Sequence, residues 1–114
     1  MLSLDKWEIS GYINCLRQYY SDYKLVSSMA FLIAAAKGNA LYYFAPDTDG
    51  VVYDDKIEDV KSECSGYVKI FSSYRPEVIK SLSLKLWKYY ANKEVEFSDE
   101  DRKLLADLGI RLKG

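Results

Sequence analysis

Residues 29–36, with the sequence MAFLIAAA, form the longest uninterrupted apolar run in this chain of 114 residues. The run lies within residues 25–37, which we predict to be a mostly buried helix. Lys37 suits the last turn of that helix, and Gly38 suits the position that follows it. A run of eight residues is too short to cross a membrane, since a spanning helix needs about 20.

The residues before this run do not resemble a secretion signal. Small residues at 34–36 are typical of a cleavage site, but the preceding segment carries mixed charges and an amphipathic pattern. Apolar residues make up 49% of the chain and charged residues 29%, which is ordinary for a globular protein. We therefore expect residues 1–114 to form one soluble, cytoplasmic domain.

Amphipathic spacing predicts further helices on both sides of the run. Residues 4–22 carry apolar side chains at helical intervals, with Ser3 as a plausible N-cap. Residues 76–92 show the same spacing and begin with a proline, which suits the first position of a helix. A short last helix is predicted to begin at a capping box formed by Ser98 and Asp101 and to end at Gly109.

Three short segments are predicted to be strands. Residues 40–45 are rich in aromatics, residues 46–50 form a turn, and residues 51–53 pair back as a hairpin. Residues 67–72 alternate in polarity and read as a third strand, while residues 54–64 fit either a short helix or an irregular segment. This order of elements predicts an α+β fold, with a small antiparallel sheet of about three strands covered by four or five helices.

The residue inventory argues against several kinds of chemistry. Histidine is absent, which excludes the Ser-His-Asp and Cys-His arrangements and any zinc site that needs histidine. The six glycines are scattered singly, so no phosphate-binding loop is present. We therefore expect no catalytic residues and no cofactor.

The two cysteines, Cys15 and Cys64, lie 49 positions apart and form no metal-binding motif. We favour two small, buried thiols in a reducing compartment. A disulfide stays open as the alternative, because sequence spacing does not test its geometry.

The segment that begins in the hairpin turn and runs to Glu58 partly resembles a calcium-binding loop. Asp47, Asp49 and Glu58 match positions 1, 3 and 12 of an EF-hand. Val51 and Val52 occupy positions 5 and 6, where a ligand and a glycine are required. We therefore predict no metal site.

The charges of the chain are segregated although their sum is only −1. Residues 46–64, called the acidic block below, hold seven acidic residues against two lysines, a net charge of −5. Residues 65–93, called the basic block, hold six basic residues against one glutamate, a net charge of +5. This segregation is the feature that most favours a binding function.

The acidic block has three readings. Catalytic carboxylates would need burial to raise a pKa, which a turn and an exposed helix face do not provide. The block is then either a solvated face or a surface that docks on a basic partner such as the cleft of a nuclease. The candidate contact residues are Tyr43, Asp47, Asp49, Tyr53, Asp54, Asp55, Glu58, Asp59 and Glu63.

An acidic segment beside Tyr53 resembles the small bacterial immunity proteins, including those of contact-dependent inhibition systems, which cap nuclease toxins. The resemblance implies a non-enzymatic inhibitor whose partner is a basic toxin domain. It carries no shared motif and transfers no residue role. Our leading hypothesis is accordingly a protein-binding module of the immunity type.

The basic block supports an alternative function. A nucleic-acid-associated or phage-type regulator would use the helix at 76–92, with Lys80, Lys85 and Lys88 meeting phosphates and Tyr74 stacking on a base. No known nucleic-acid-binding motif supports this reading. A solvated face that pairs with acids of the same chain is the simpler interpretation of the lysines.

Overall fold

The computed structural model describes residues 6–38 and 57–112, with side chains from residue 9 and from residue 60 onward in the two ranges. The regular secondary structure of these residues consists of five helices, so the predicted α+β class is wrong and this part of the chain is an all-α globule. The helices are α1 (Lys6–Leu16), α2 (Tyr23–Ala36), α3 (Ile57–Phe71), α4 (Pro76–Tyr90) and α5 (Asp99–Leu108). The predicted hairpin at 40–53 lies outside the described residues.

The strand predicted at residues 67–72 is wrong because these residues complete α3 and the turn that follows it. Val60, Cys64 and Phe71 are buried and recur at helical intervals, so the apolar face of the helix runs through the whole segment. The amide of Ser72 donates to the carbonyl of Val68 at 2.9 Å, which continues the helical pattern past Phe71. The alternation of polar and apolar residues at 67–72 is therefore a fragment of a helical pattern that begins at Val60.

The predicted buried helix at 25–37 is confirmed as α2, which lies at the centre of the molecule. Residues 25–35 are buried without interruption, and the helix packs against α1, α4 and α5. A helix buried on every side needs no polar face, which explains its apolar sequence. Among the described residues, no helix is both long enough and apolar enough to cross a membrane.

The first predicted helix is too long, because α1 ends at Leu16 and a new helix begins at Tyr23. Asp22 has an extended backbone, and its carboxylate accepts a hydrogen bond from the amide of Leu25 at 3.1 Å. The N-cap at Asp22 starts α2. The apolar spacing that predicted a single helix over residues 4–22 therefore runs across the break between α1 and α2. Gly38 follows the end of α2 with a φ of 79°, as the sequence predicts for the position after a helix.

The predicted start of α4 and both predicted ends of α5 are confirmed, while α4 ends at Tyr90, two residues before the predicted end. Pro76 is the first residue of α4. Ser98 and Asp101 form a reciprocal capping box, in which each side chain accepts a hydrogen bond from the backbone amide of the other residue. Gly109 ends α5 in the left-handed conformation, with a φ of 75°.

Helices α1 and α3 pack closely and run in the same direction. A side-chain carbon added to Gly11 of α1 would lie 3.0 Å from Cγ2 of Val60 in α3. One turn further along both helices lie the buried thiols of Cys15 and Cys64, and a hydrogen bond between them is one cause of their shifted pKa values. The glycine therefore has a packing role, because it lets the two backbones approach.

Candidate protein-binding site

Most of the predicted contact residues lie outside the part of the chain that the structure describes. These are Tyr43, Asp47, Asp49, Tyr53, Asp54 and Asp55. Glu58 and Asp59 belong to the first turn of α3, but their side chains are not among those described. Glu63, one turn further along the same helix, has a described side chain.

Glu63 forms an ion pair with Lys37, the residue that caps the end of α2. Its two carboxylate oxygens lie 2.7 and 2.9 Å from Nζ of Lys37. The neighbouring carboxylate raises the pKa of Lys37 above its ordinary value. The ion pair joins the end of α2 to the second turn of α3, and these two helices flank residues 39–56 in the sequence.

Two tyrosines lie near this ion pair. Nζ of Lys37 lies 6.0 Å from the centre of the ring of Tyr12, which is buried. Burial, followed by the charge of Glu63, raises the pKa of Tyr67. Glu63 therefore helps to hold two helices together besides contributing to the charge of the acidic block.

Three of the six basic side chains of the basic block, Arg75, Lys80 and Lys85, form ion pairs within the molecule. Nζ of Lys80 lies 2.6 Å from a carboxylate oxygen of Asp22, the N-cap of α2. The hydrogen bond from Lys80, together with the one from the Leu25 amide, lowers the pKa of Asp22. The contact links the first turns of α4 to the start of α2.

The ion pair between Lys85 and Asp101 is the more buried contact of the basic block. The two charged atoms lie 2.5 Å apart, and only 3% of the Asp101 side chain is exposed. Burial alone would raise the pKa of this carboxyl, but hydrogen bonds from Lys85 and Ser98 outweigh it and lower the pKa. Asp101 therefore stays ionised and ties α4 to the capped start of α5.

Two further contacts join the residues just before α4 to α5. Arg75 lies 2.9 Å from Glu100, and the hydroxyl of Tyr74 donates to the carboxylate of Asp107. In the described ranges, each acid that pairs with the basic block lies outside the acidic block. The acids concerned are Asp22, Glu100 and Asp101.

A depression of about 220 Å³ lies between the first turns of α4 and α5. Five charged residues line it, and four of them, Arg75, Lys85, Glu100 and Asp101, form the two ion pairs described above. The fifth is the exposed Glu77. Residues 6–38 and 57–112 also contain no group of three or more cysteine or acidic side chains placed to hold a metal ion.

Sequence reasoning did not find the contacts that organise this region. The residues of the Lys37–Glu63 pair are 26 positions apart, and those of the Lys85–Asp101 pair are 16 apart. The capping motif at Ser98 did reveal the local role of Asp101. The other partners come together only through helix packing, for which a single sequence contains no local signal.

A scan of protein-family models and searches of curated proteins and solved structures found no match to this chain.

Proposed function

We propose that this chain is a non-enzymatic protein-binding module. In its most concrete form it is an immunity-type inhibitor that neutralises a basic toxin, such as a nuclease, by docking an acidic surface over its active cleft. The observation that carries the proposal is the segregation of charge, with a block of −5 directly followed by a block of +5. The docking surface comprises the acidic residues between 47 and 63 together with Tyr43 and Tyr53.

The ion pairs of the described residues support this assignment. Lys80, Lys85 and Arg75 are compensated by acids outside the acidic block, so these bases do not neutralise it. The net charge of the chain is close to zero because its acids and bases are nearly equal in number. The ion pairs of the basic block nevertheless leave the acidic block with an excess of acid. An excess of one sign on one surface is what speeds encounter with a partner of the opposite sign.

The residue types in the acidic block suit recognition of a protein. Carboxylates at the rim of an interface steer association and fix its register. Tyrosine combines a rigid apolar ring with a polar tip and is enriched among residues that dominate binding energy. Tyr43 and Tyr53 lie on either side of the turn at 46–50 in the sequence, which makes them the aromatic anchors of the proposed surface.

The described contacts disfavour the nucleic-acid alternative. Lys80 and Lys85 are held by Asp22 and Asp101, and the hydroxyl of Tyr74 is bonded to Asp107. Phosphate binding would have to break these contacts and would leave the buried Asp101 carboxylate without its cation.

The experiment that tests the proposal uses the reading frame directly preceding this one in its genome. Its product is expressed in a bacterial host with the wild-type chain or with a variant carrying Asp54→Lys, Asp55→Lys, Glu58→Lys and Asp59→Lys. We expect the neighbouring product to arrest growth, the wild-type chain to restore it, and the variant to fail because its surface repels a basic cleft.

A matched control carries the same charge change on other exposed acids, as Glu77→Lys, Glu94→Lys, Glu96→Lys and Asp99→Lys. Circular dichroism checks that both variants keep the helical fold. The control is expected to restore growth. A neighbouring product without toxicity, or equal rescue by all three chains, would contradict the proposal.

A further inference from the structure

The two cysteines form a buried pair of free thiols between α1 and α3. Cys15 and Cys64 are 0% exposed, and neither takes part in a disulfide. Their side chains are within hydrogen-bonding reach of each other. Two residues 49 positions apart in sequence therefore meet in the core between α1 and α3.

The backbones of the two helices also approach closely at this level. One turn before the thiols, a side-chain carbon added at Gly11 would lie 3.0 Å from Cγ2 of Val60, which is tighter than an ordinary van der Waals contact. A disulfide requires Cα atoms about 4.4–6.8 Å apart, which only closely packed helices permit. Gly11 thus supplies the approach that a cross-link at Cys15 needs.

We propose that Cys15 and Cys64 are a disulfide-forming site that locks α1 to α3 when the chain meets a low-molecular-weight disulfide such as oxidised glutathione. The proposal is independent of the binding function and holds whether or not the acidic block recognises a partner. The cross-link would enclose in one covalent loop the sequence from residue 15 to residue 64, which includes the acidic block.

The reaction is a thiol–disulfide exchange in two steps. A thiolate of the chain attacks one sulfur of oxidised glutathione, forms a mixed disulfide and releases one glutathione thiolate. The second cysteine, after losing its proton, attacks the chain sulfur of the mixed disulfide and releases the second glutathione. The two chain thiols lose two electrons and two protons, and one glutathione disulfide becomes two glutathione thiols.

The surroundings of the pair indicate which sulfur reacts first. Burial raises the pKa of both thiols, but for Cys15 the hydrogen bond with Cys64 and the charge of Lys61 oppose that rise. Cys15 is therefore the better thiolate and the first nucleophile. Because both sulfur atoms are buried, exchange requires transient separation of α1 from α3 and is slow in the native state.

The test refolds the reduced wild-type chain from denaturant in a buffer of oxidised and reduced glutathione, which removes the kinetic barrier of burial. Free thiols are then alkylated, and the product is analysed by mass spectrometry. We expect a monomer that has lost two hydrogen atoms and takes up no alkylating reagent. Its Tm should exceed that of the reduced chain by on the order of 10 °C, because a long loop is closed without distorting the fold.

Control chains with Cys15→Ala or Cys64→Ala should show no such rise in Tm under the same buffer. The alkylation state and Tm of the oxidised and reduced wild-type chains test the proposal even if a control variant fails to fold. Full alkylation of both cysteines, glutathione adducts, a disulfide-linked dimer, or an oxidised monomer of lower Tm would each overturn the proposal.

Discussion

Asp101 is a single side chain that stabilises two helices at once. Its carboxylate accepts the amide of Ser98 at the start of α5, at 2.9 Å, and the ammonium group of Lys85 in α4, at 2.5 Å. The sequence motif predicted the first contact because a capping box is local. It did not predict the second, since Lys85 reaches Asp101 only once α4 packs beside α5.

We expect Asp101→Asn to lower the free energy of unfolding by about 1–3 kcal/mol, because it leaves a partly buried lysine without its anion and weakens the cap. Urea denaturation at neutral pH measures the change. Asp99→Asn is the matched control, since Asp99 is an exposed acid in the same first turn. A loss in the Asp101 variant no larger than in the control would contradict the assigned role.

The same variant has a defined pH signature. The folded chain holds the pKa of Asp101 below its ordinary value, so the ion pair contributes stability above about pH 4 and loses it as the pH falls through the folded pKa. Wild-type stability should therefore decline more steeply below about pH 4 than the stability of Asp101→Asn. Parallel pH profiles of unfolding free energy would speak against a depressed pKa.

Among the secondary-structure elements, α3 shows where a local sequence pattern predicts the wrong structure. Helices α4 and α5 were predictable because Pro76, the Ser98 capping box and Gly109 mark their ends. Residues 67–72 carry no comparable marker, and a six-residue alternation of polarity resembled a strand. Extending the window back to Val60 reveals the helical period, so the error came from ending the helix at the exposed residues around Gly66.

Gly66 offers a direct test of α3 as one continuous helix. It is exposed, and a methyl group added there would meet no atom within 4 Å. Gly66→Ala should raise the free energy of unfolding by about 0.5–1 kcal/mol, because alanine is the better residue in a helix interior. Denaturant titration, with the helical circular dichroism signal as the probe, measures the change.

Gly109→Ala is the matched comparison, since that position is equally open but has a φ of 75°. It should destabilise the chain by about 1 kcal/mol, because alanine is strained in the left-handed region. If Gly66→Ala is destabilising by a similar amount, α3 does not run through residue 66 as a regular helix.

At the scale of the whole molecule, the charge blocks were visible in the sequence but their pairing was not. Counting residues reveals −5 beside +5, which suggests that the two blocks neutralise each other. The described contacts instead pair the basic block with Asp22, Glu100 and Asp101. Which acids meet which bases depends on the packing of α4 against α2 and α5, and a single sequence does not specify that packing.

This arrangement predicts weak binding to nucleic acid. In a gel-shift assay at about 50 mM salt, duplex DNA and single-stranded RNA should show no shift with about 10 µM protein, since a binder needs several free cations. A shift that disappears steeply with added salt and is abolished by Lys80→Gln, Lys85→Gln and Lys88→Gln would contradict the prediction and favour the regulatory alternative.

In the proposed function, the acidic block steers this chain onto a basic protein partner. The most direct test of this steering is the association rate constant with the purified product of the neighbouring reading frame, measured by stopped flow across a range of salt concentrations. We expect the association rate constant to fall at least about tenfold between about 0.05 and 0.5 M salt. This dependence should nearly disappear when Asp54, Asp55, Glu58 and Asp59 are replaced by lysine. An association rate that is insensitive to salt and unchanged by these replacements would contradict the proposed steering.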